Sequence, residues 1–483
     1  MGDLEARAAE PTVTFCGGAR EVSGSMHLVT AHGRQLLLDC GLFLQRNPEG
    51  AQRNRTFPFD PHRIEAVVLS HAHIDHSGNL PNLVRQGFAG PIYCTPPTRD
   101  LIAPMLADSA RIHEEDARRA NIFQPANGKL IPALSTQADV QKTLQLCVPL
   151  AYEHDREVLP GMTIRLHEAG HVLGSAMVEL TIAPGGGRPA RLVFTGDVGR
   201  HGMPLLPPPA PIPPADVVIC ESTYGGQRHE PFGRMLEALR VLVRQTIERG
   251  GKVLIPAFSL GRTQIVVYCL QQLRQRRQLP DVPIFVDSPL AGHITQVFRQ
   301  HPDYLTPEAA RELREPGNFL DGPQLHYVRT VEESKELNSR RTPCIIVASS
   351  GMGEGGRILH HLTHNIDDPR CTVILVSYQP RDTLGWRLLE HKPTVRILGR
   401  EWNKWADVVI LRGFSSHADH AGLVEALTPL AGQGSKVCLV HGEPEAAQAL
   451  AADLEKQGLE DVMIPGLGTT LSLVPGEREA VAP

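Results

Sequence analysis

The sequence is poor in the features that most often announce a function. Aromatic residues make up 5% of its 483 residues, which argues against broad base-stacking platforms. Nine cysteines stand at 16, 40, 94, 147, 220, 269, 344, 371 and 438, an odd count with no C-x-x-C pair. That pattern argues against a disulfide framework and against a cysteine-ligated zinc site. Several of the nine lie inside apolar runs, as in Val218–Ile219–Cys220, and read as small buried hydrophobes. No run of about 18 apolar residues occurs, so no membrane span is expected. Residues 1–11 are acidic and alanine-rich without an apolar signal core, so a cytoplasmic location is expected rather than export. A basic excess is also missing, since the net charge is −5. Proteins that grip phosphate backbones usually carry a basic face, and the charge counts mildly against a polyanionic substrate. It does not exclude one, because a bound pair of divalent ions would add roughly +4 of local charge.

What is present fits a soluble globular protein, with 41% hydrophobic and 21% charged residues. The length calls for two or more domains, or one domain carrying an insertion. Short apolar runs alternate with helical stretches, which predicts an α/β protein. A proline-rich stretch over 204–214 reads as an extended linker into a strand over 215–220. Past about residue 225 the texture changes to a helix over 232–248, strands over 253–257 and 284–287, and glycine-punctuated strand ends over 344–352 and 373–378. The N-terminal part is richer in strands, with a hairpin of 176–183 and 191–195 across a turn at 184–188. Residues 99–120 read as a mostly polar helix standing off the main core. The tail after about residue 474 reads as disordered.

The strongest signal is His71–Ala72–His73–Ile74–Asp75–His76. It follows an apolar run, 66–70, that reads as a buried strand, so four ligand-type side chains occupy the loop leaving the strand's C-terminal end. His71 and His73 alternate and can face one metal, while Asp75 and His76 turn toward a neighbouring one. Imidazole and carboxylate are ligands that zinc prefers. A polar loop with coincidental histidines is the plainer reading, but it buries several titratable groups with no cation to offset the cost. Distant partners of the same kind exist. His171 follows an apolar run over 162–166, Asp197 ends the second hairpin strand, Asp39 ends Leu36–Leu37–Leu38, and His441 follows the run 436–440. Any one of these alone reads as a structural residue; together they read as a metal site.

Three further segments carry a resemblance. With Glu221–Ser222–Thr223–Tyr224–Gly225, Phe414–Ser415–Ser416–His417–Ala418–Asp419 and Leu439–Val440–His441–Gly442–Glu443, the sequence resembles the β-CASP nucleic-acid-processing branch of the metallo-β-lactamase superfamily. The resemblance runs from about residue 12 to about residue 466. It is most similar to bacterial relatives of the endonuclease subunit of the pre-mRNA 3′-end cleavage and polyadenylation factor. It implies a metallo-β-lactamase αββα sandwich over 12–225 and 395–475, interrupted by an inserted β-CASP α/β domain over 226–394. It also implies two Zn2+ per chain, with Mn2+ as the alternative metal. His71, His73 and His171 would hold one ion, Asp75, His76 and His441 the other, and Asp197 would bridge them. Asp39 would orient a ligand or the bound water, and Asp75 counts with the catalytic groups. His417, paired with Glu221, would be the general acid. In this family a histidine at the position of His441 goes with RNA processing.

The expected function is therefore a zinc-dependent ribonuclease acting on single-stranded RNA, endonucleolytic and with 5′-to-3′ exonuclease activity as an option. A thioester or lactam hydrolase, a DNA nuclease and a catalytically dead RNA scaffold are the competing readings. The inserted domain and the Glu221–His417 pair argue against the first, His441 against the second, and the complete ligand set against the third. A homodimer is allowed, and no membrane partner is expected. Ser349–Ser350–Gly351 after a strand reads either as a tight turn or as an amide cradle for a substrate phosphate, with Arg262 or Arg357 in support. His360, His361 and His364 read as a packed or solvated helix face, and Arg274, Arg276 and Arg277 as a solvated one.

Overall fold

In the computed structural model, which describes residues 10–45, 48–123, 130–184, 187–381 and 383–474, the expected alternation of strands and helices resolves into two units. One comprises the described residues within Met1–His201, Pro208–Arg228 and His417–Pro483; the other is Gly202–Pro207 with His229–Ser416. Part of the 184–188 turn and the tail after residue 474 lie outside the described residues.

The first unit is built on two seven-stranded sheets. Its strands in chain order are β1 (Thr12–Gly17), β2 (Met26–Ala31), β3 (Arg34–Leu38), β4 (Ile64–Val68), β5 (Ile92–Cys94) and β6 (Cys147–Pro149), then β7 (Arg156–Leu159), β8 (Met162–Glu168), β9 (Ala176–Ile182), β10 (Ala190–Phe194) and β11 (Val217–Glu221). The second unit contributes β12 (Val253–Pro256), β13 (Ile284–Asp287), β14 (Leu325–Tyr327), β15 (Ile345–Ala348), β16 (Thr372–Leu375), the pair β17 (Thr394–Ile397) and β18 (Arg400–Asn403), and β19 (Asp407–Ile410). The chain then returns to the first unit with β20 (Lys436–Val440), β21 (Val462–Met463) and β22 (Thr470–Ser472).

One sheet runs β22-β1-β2-β3-β4-β5-β6, the other β21-β20-β11-β10-β9-β8-β7. Their inner faces share one core, to which Val13, Val29, Leu36 and Val68 come from the first sheet and Ile164, Leu180, Leu192 and Ile219 from the second. In β8 the period-2 pattern is plain: Met162, Ile164 and Leu166 point inward and pair with Ile182, Leu180 and Val178 of β9. The parallel strand β11 is buried at all five positions because both its faces are covered. Val217 and Ile219 enter the shared core, while Val218 and Cys220 pack under the helices His420–Leu427 and Pro444–Lys456. The long helix expected to stand off the core instead starts at Pro96, and Leu101, Ile102, Leu106 and Ala110 bury its first half. Its polar residues dominate the count, but the apolar ones recur at helical spacing on one face.

Strand direction is what gathers a site. Since β8 and β10 each run antiparallel to β9, and β10, β11 and β20 are parallel, all four of β8, β10, β11 and β20 end at the same edge. In the facing sheet β3 and β4 are likewise parallel.

The second unit is a six-stranded parallel sheet in the order β14-β13-β15-β12-β16-β19. Its strands are the near-continuous apolar runs expected when helices cover both faces. At the end of β13 the fully buried Asp287 accepts from Arg357 Nη1 (2.6 Å) and His361 Nε2 (2.6 Å), and from the Ser334 hydroxyl. His361 is completed by Asn338 Oδ1 at 2.8 Å. Burial alone would raise the Asp287 pKa, but the hydrogen bonds from His361, Ser334 and Arg357 bring it below its ordinary value. Removing the carboxylate strands buried positive charge, and Asp287→Ala is expected to destabilise this unit by about 3–5 kcal/mol. A urea melt checks this. The depressed pKa adds a sign: the wild-type advantage is present at neutral pH and lost as the pH falls through the folded value.

Candidate metal centre

Six strand ends deliver the ligand-type side chains to one place in the first unit. Asp39 follows β3, the 71–76 loop follows β4, His171 follows β8, Asp197 follows β10, Glu221 closes β11 and His441 follows β20. Two of them, Asp39 (φ 58°) and His441 (φ 48°), sit in the left-handed region, where a side chain with Cβ costs about 1–3 kcal/mol. The fold holds both. His441 N donates to Gly18 O at 2.6 Å and Thr223 Oγ1 to His441 O at 2.9 Å; Asp39 N donates to Val68 O at 3.0 Å.

The atoms cluster in two sets. In the first, His73 Nδ1 lies 3.1 Å from His71 Nε2 and 3.2 Å from His171 Nε2, while Asp197 Oδ2 lies 3.5 Å from His71 Nε2 and 3.4 Å from His171 Nε2. In the second, His76 Nε2 lies 3.3 Å from His441 Nε2 and 3.3 Å from Asp197 Oδ1, and His441 Nε2 lies 3.5 Å from Asp75 Oδ2. Donors about 2.0–2.1 Å from a central ion in tetrahedral array are about 3.3–3.4 Å apart, so the spacing is that of ligands around a zinc-sized cation. Asp197 faces one set with each oxygen. It is 1% exposed, and neither oxygen has a hydrogen-bond partner among the described residues. A buried carboxylate without partners is costly, and a cation on each oxygen answers that cost. The residues present therefore fit a pair of divalent ions.

Protonation agrees with ligation at all but one of the groups whose pKa is shifted: burial would lower the pKa of His76, but Asp197 and Asp39 raise it well above its ordinary value, so a metal bound there would displace a proton. Burial holds His71 and His171 well below the ordinary imidazole pKa and His73 at about 4. Asp75 is brought down to about 2, where His441 and His76 outweigh the opposing effect of burial. Asp197 stays far below its ordinary value because His441, His76, His417 and His71 surround it, again against burial. These are the neutral-imidazole and ionised-carboxylate forms that bind metal.

Behind the ligands lies a hydrogen-bond relay. Asp39 is fully buried; its Oδ2 accepts from His76 Nδ1 at 2.6 Å and from Ser70 Oγ at 2.8 Å, and its Oδ1 from Ser70 N at 2.7 Å. Having given its proton to Asp39, Ser70 Oγ accepts from His71 Nδ1 at 3.0 Å. Both imidazoles are thereby fixed with Nε2 free to ligate. Asp39 thus acts on a ligand and does not reach the open face. Thr223 Oγ1, 3.2 Å from His441 Nδ1, orients that ring in the same way.

His417 sits beside this cluster with Nδ1 3.0 and 3.1 Å from the two Glu221 oxygens and its side chain 19% exposed. Burial would lower its pKa, but Glu221 and then Asp197 raise it to about 9. Glu221 is fully buried and spends its remaining capacity on Val198 N (2.7 Å) and Thr223 N (3.3 Å). Glu221 also lies within reach of Asp197 and His441, with its oxygens taken up by His417, Val198 N and Thr223 N.

Ser70, Thr223 and His420 were not legible as site residues. His420 donates through Nδ1 to the Gly225 carbonyl and meets Asp453 Oδ2 at 2.8 Å through Nε2. It ties the loop of His417 to the loop of Glu221. Hydroxyls in strand-end loops form no pattern, and a histidine three residues past His417 gives no sign of which backbone it will reach. Arg262, Ser349, Ser350 and Gly351 belong to the second unit. Arg262 is buried and donates to the Val376 carbonyl; Ser349 Oγ bonds Ser259 Oγ (2.7 Å) and Ser288 Oγ (2.9 Å); Ser350 Oγ accepts from Glu354 N (3.1 Å). Gly351 packs against Phe258.

Comparison with known proteins adds the following. Residues 19–225 match the model of the metallo-beta-lactamase superfamily, 263–388 that of the Beta-Casp domain and 406–465 that of the Zn-dependent metallo-hydrolase RNA specificity domain. The chain is 39% identical over 445 residues to Ribonuclease TTHA0252 of Thermus thermophilus, covering 92% of this chain and 96% of that one. It is 32% identical over 462 residues to the transcription termination factor FttA of Methanosarcina mazei, covering 92% of this chain and 69% of that protein. Among solved structures, a protein of unknown function from Enterococcus faecalis V583 superposes with a TM-score of 0.53 at 14% identity, covering 96% of this chain and 100% of that one, a likeness of fold alone.

Asp39→Ala removes the partner that fixes His76 Nδ1, and is expected to weaken metal binding about 10–100-fold. Competition with a chromogenic chelator measures it; unchanged affinity would remove Asp39 from the relay.

Proposed function

The chain belongs to the β-CASP family of metallo-β-lactamase-fold hydrolases, which includes ribonucleases, and from that premise we propose that it cuts single-stranded RNA internally with two bound zinc ions and His417 as general acid. The observation that carries this is Asp197, a buried carboxylate with one unpartnered oxygen facing each set of ligands. His71, His73, His171 and Asp197 Oδ2 would hold one ion; Asp75, His76, His441 and Asp197 Oδ1 would hold the other. When bound, such a pair supplies a deprotonated water as nucleophile and countercharge for the phosphoryl oxygens.

The chain's own residues do the rest. Glu221 holds the Nδ1 proton of His417 and favours the imidazolium, which leaves Nε2–H to protonate the departing sugar oxygen. His420, through the Gly225 carbonyl, keeps the loops of Glu221 and His417 in register. Asp39 and Ser70 keep His76 and His71 in the ligating tautomer. The Glu221–His417 pair suits a phosphodiester, whose departing alkoxide needs a proton, better than a thioester, whose thiolate leaves without one.

His417→Ala is expected to lower kcat/KM for a single-stranded RNA by about 10²–10⁴-fold while retaining its metals. Full activity would remove His417 from the mechanism, and lost metal would recast it as a ligand. The protonated form of His417 is the active one, so activity should fall as the pH rises through its pKa. That basic limb lies at or below about 9, because bound cations add positive charge beside the imidazole. Glu221→Gln removes the largest influence raising that pKa, and should move the limb to lower pH in a pH–rate profile.

A further inference from the structure

Four aromatic side chains among the described residues are more than a third exposed: Phe258 (37%), Tyr378 (47%), Trp386 (36%) and Trp405 (59%). Three of them flank one turn of the second unit. Phe258 leaves β12, and the turn 349–353 leaves the neighbouring strand β15. A Cβ placed on Gly351 would lie 3.0 Å from Phe258 N, 3.1 Å from the Phe258 ring and 3.1 Å from Ser377 Oγ, the residue before Tyr378. Gln379 Nε2 donates to Gly351 O at 3.0 Å, and Gly385 N, the residue before Trp386, donates to Met352 O at 3.0 Å. Three segments that each carry an exposed ring therefore meet on one backbone turn.

The position is one that binds ligands on physical grounds. From β12 the chain crosses to β13 on one side, and from β15 it crosses to β16 on the other. Right-handed crossovers in opposite directions send the two loops to opposite faces and open a crevice between them. The crevice floor is polar. Ser259, Ser288 and Ser349 hydroxyls lie 2.7–3.1 Å from one another, and Ser377 Oγ, in a side chain 4% exposed, has no hydrogen-bond partner among the described residues. Arg387, 48% exposed, follows Trp386 in the chain, and its guanidinium lies 3.9 Å from Glu354. A hydroxyl floor, an aromatic rim and a nearby cation match a nucleotide, with its flat base and anionic backbone, better than an apolar protein surface, which would leave the floor unmatched.

We propose that Phe258, Tyr378 and Trp386 form a compact base-stacking site for single-stranded RNA on the second unit, a proposal that rests on RNA being the substrate. Stacking accepts any base, so the site would give affinity without sequence preference. The small number of aromatics rules out a broad platform but not three rings on one turn.

The test uses the metal-loaded full chain with a single-stranded RNA, and with the same sugar–phosphate backbone carrying abasic sites. Phe258→Ala, Tyr378→Ala and Trp386→Ala are each expected to raise KM for RNA about tenfold with much less effect on kcat, and Phe258→Tyr and Trp386→Phe should restore it. The wild type should show the raised KM on the abasic strand, and the alanine variants should raise it no further. Alanine variants with wild-type KM on RNA would overturn the stacking site, as would an equal loss on both strands. A wild type that cleaves neither strand would overturn the ribonuclease reading itself.

Discussion

The first unit is organised around a buried carboxylate, Asp197, with no hydrogen bond of ordinary geometry to either oxygen among the described residues. Asp197 is buried at the edge where β10 ends, ringed by His71, His76, His171 and His441 at 3.3–3.5 Å, and neither oxygen has a hydrogen-bond partner among the described residues. In a low-dielectric interior such a group must be neutralised, and its pKa is driven down rather than up, so protonation does not do it. A cation on each oxygen would. The shared edge of β8, β10, β11 and β20 brings residues 171, 197, 221 and 441 together, and the end of β4 in the facing sheet delivers residues 71–76 to the same place.

The ligands are held by a layer of small polar contacts that fixes which ring nitrogen is free. Asp39 and Ser70 form a chain that sets His76 and His71 together, one from each set of candidate ligands. The acid pair is built differently. Glu221 and His417 come from positions 196 residues apart and are bound to each other directly, with His420 tying their loops through backbone. The two groups of residues meet at Asp197, since His417 Nδ1 lies 3.9 Å from Asp197 Oδ2.

Much of this was legible before any coordinate. His71, His73, Asp75 and His76 stood out because four ligand-type residues in six are rare after an apolar run, and Asp39, His171, Asp197 and His441 because each stands where such a run ends. The helix Phe232–Glu248 was read with the bounds that the structure gives it. What was not legible is informative. The burial of the 96–123 helix depends on which face meets the sheet, and average polarity hides that. His361 read only as a packed or solvated helix residue, because its partner Asp287 is 74 residues away. Arg262 read as a candidate supplement to an amide cradle at Ser349–Ser350–Gly351, and its guanidinium donates to the Val376 carbonyl, an acceptor that sequence does not reveal. Long-range polar pairing is the information that a single sequence carries least.

The most direct test of the account is metal analysis of the wild type and Asp197→Ala, joined to cleavage of matched RNA and DNA strands labelled at the 5′ end. The account predicts about two zinc ions per wild-type chain, internal cleavage of RNA but not DNA, and loss of both metal and cleavage in a folded Asp197→Ala. A folded wild type that cleaves RNA with no bound metal, or an Asp197→Ala that keeps its full metal content, would contradict it.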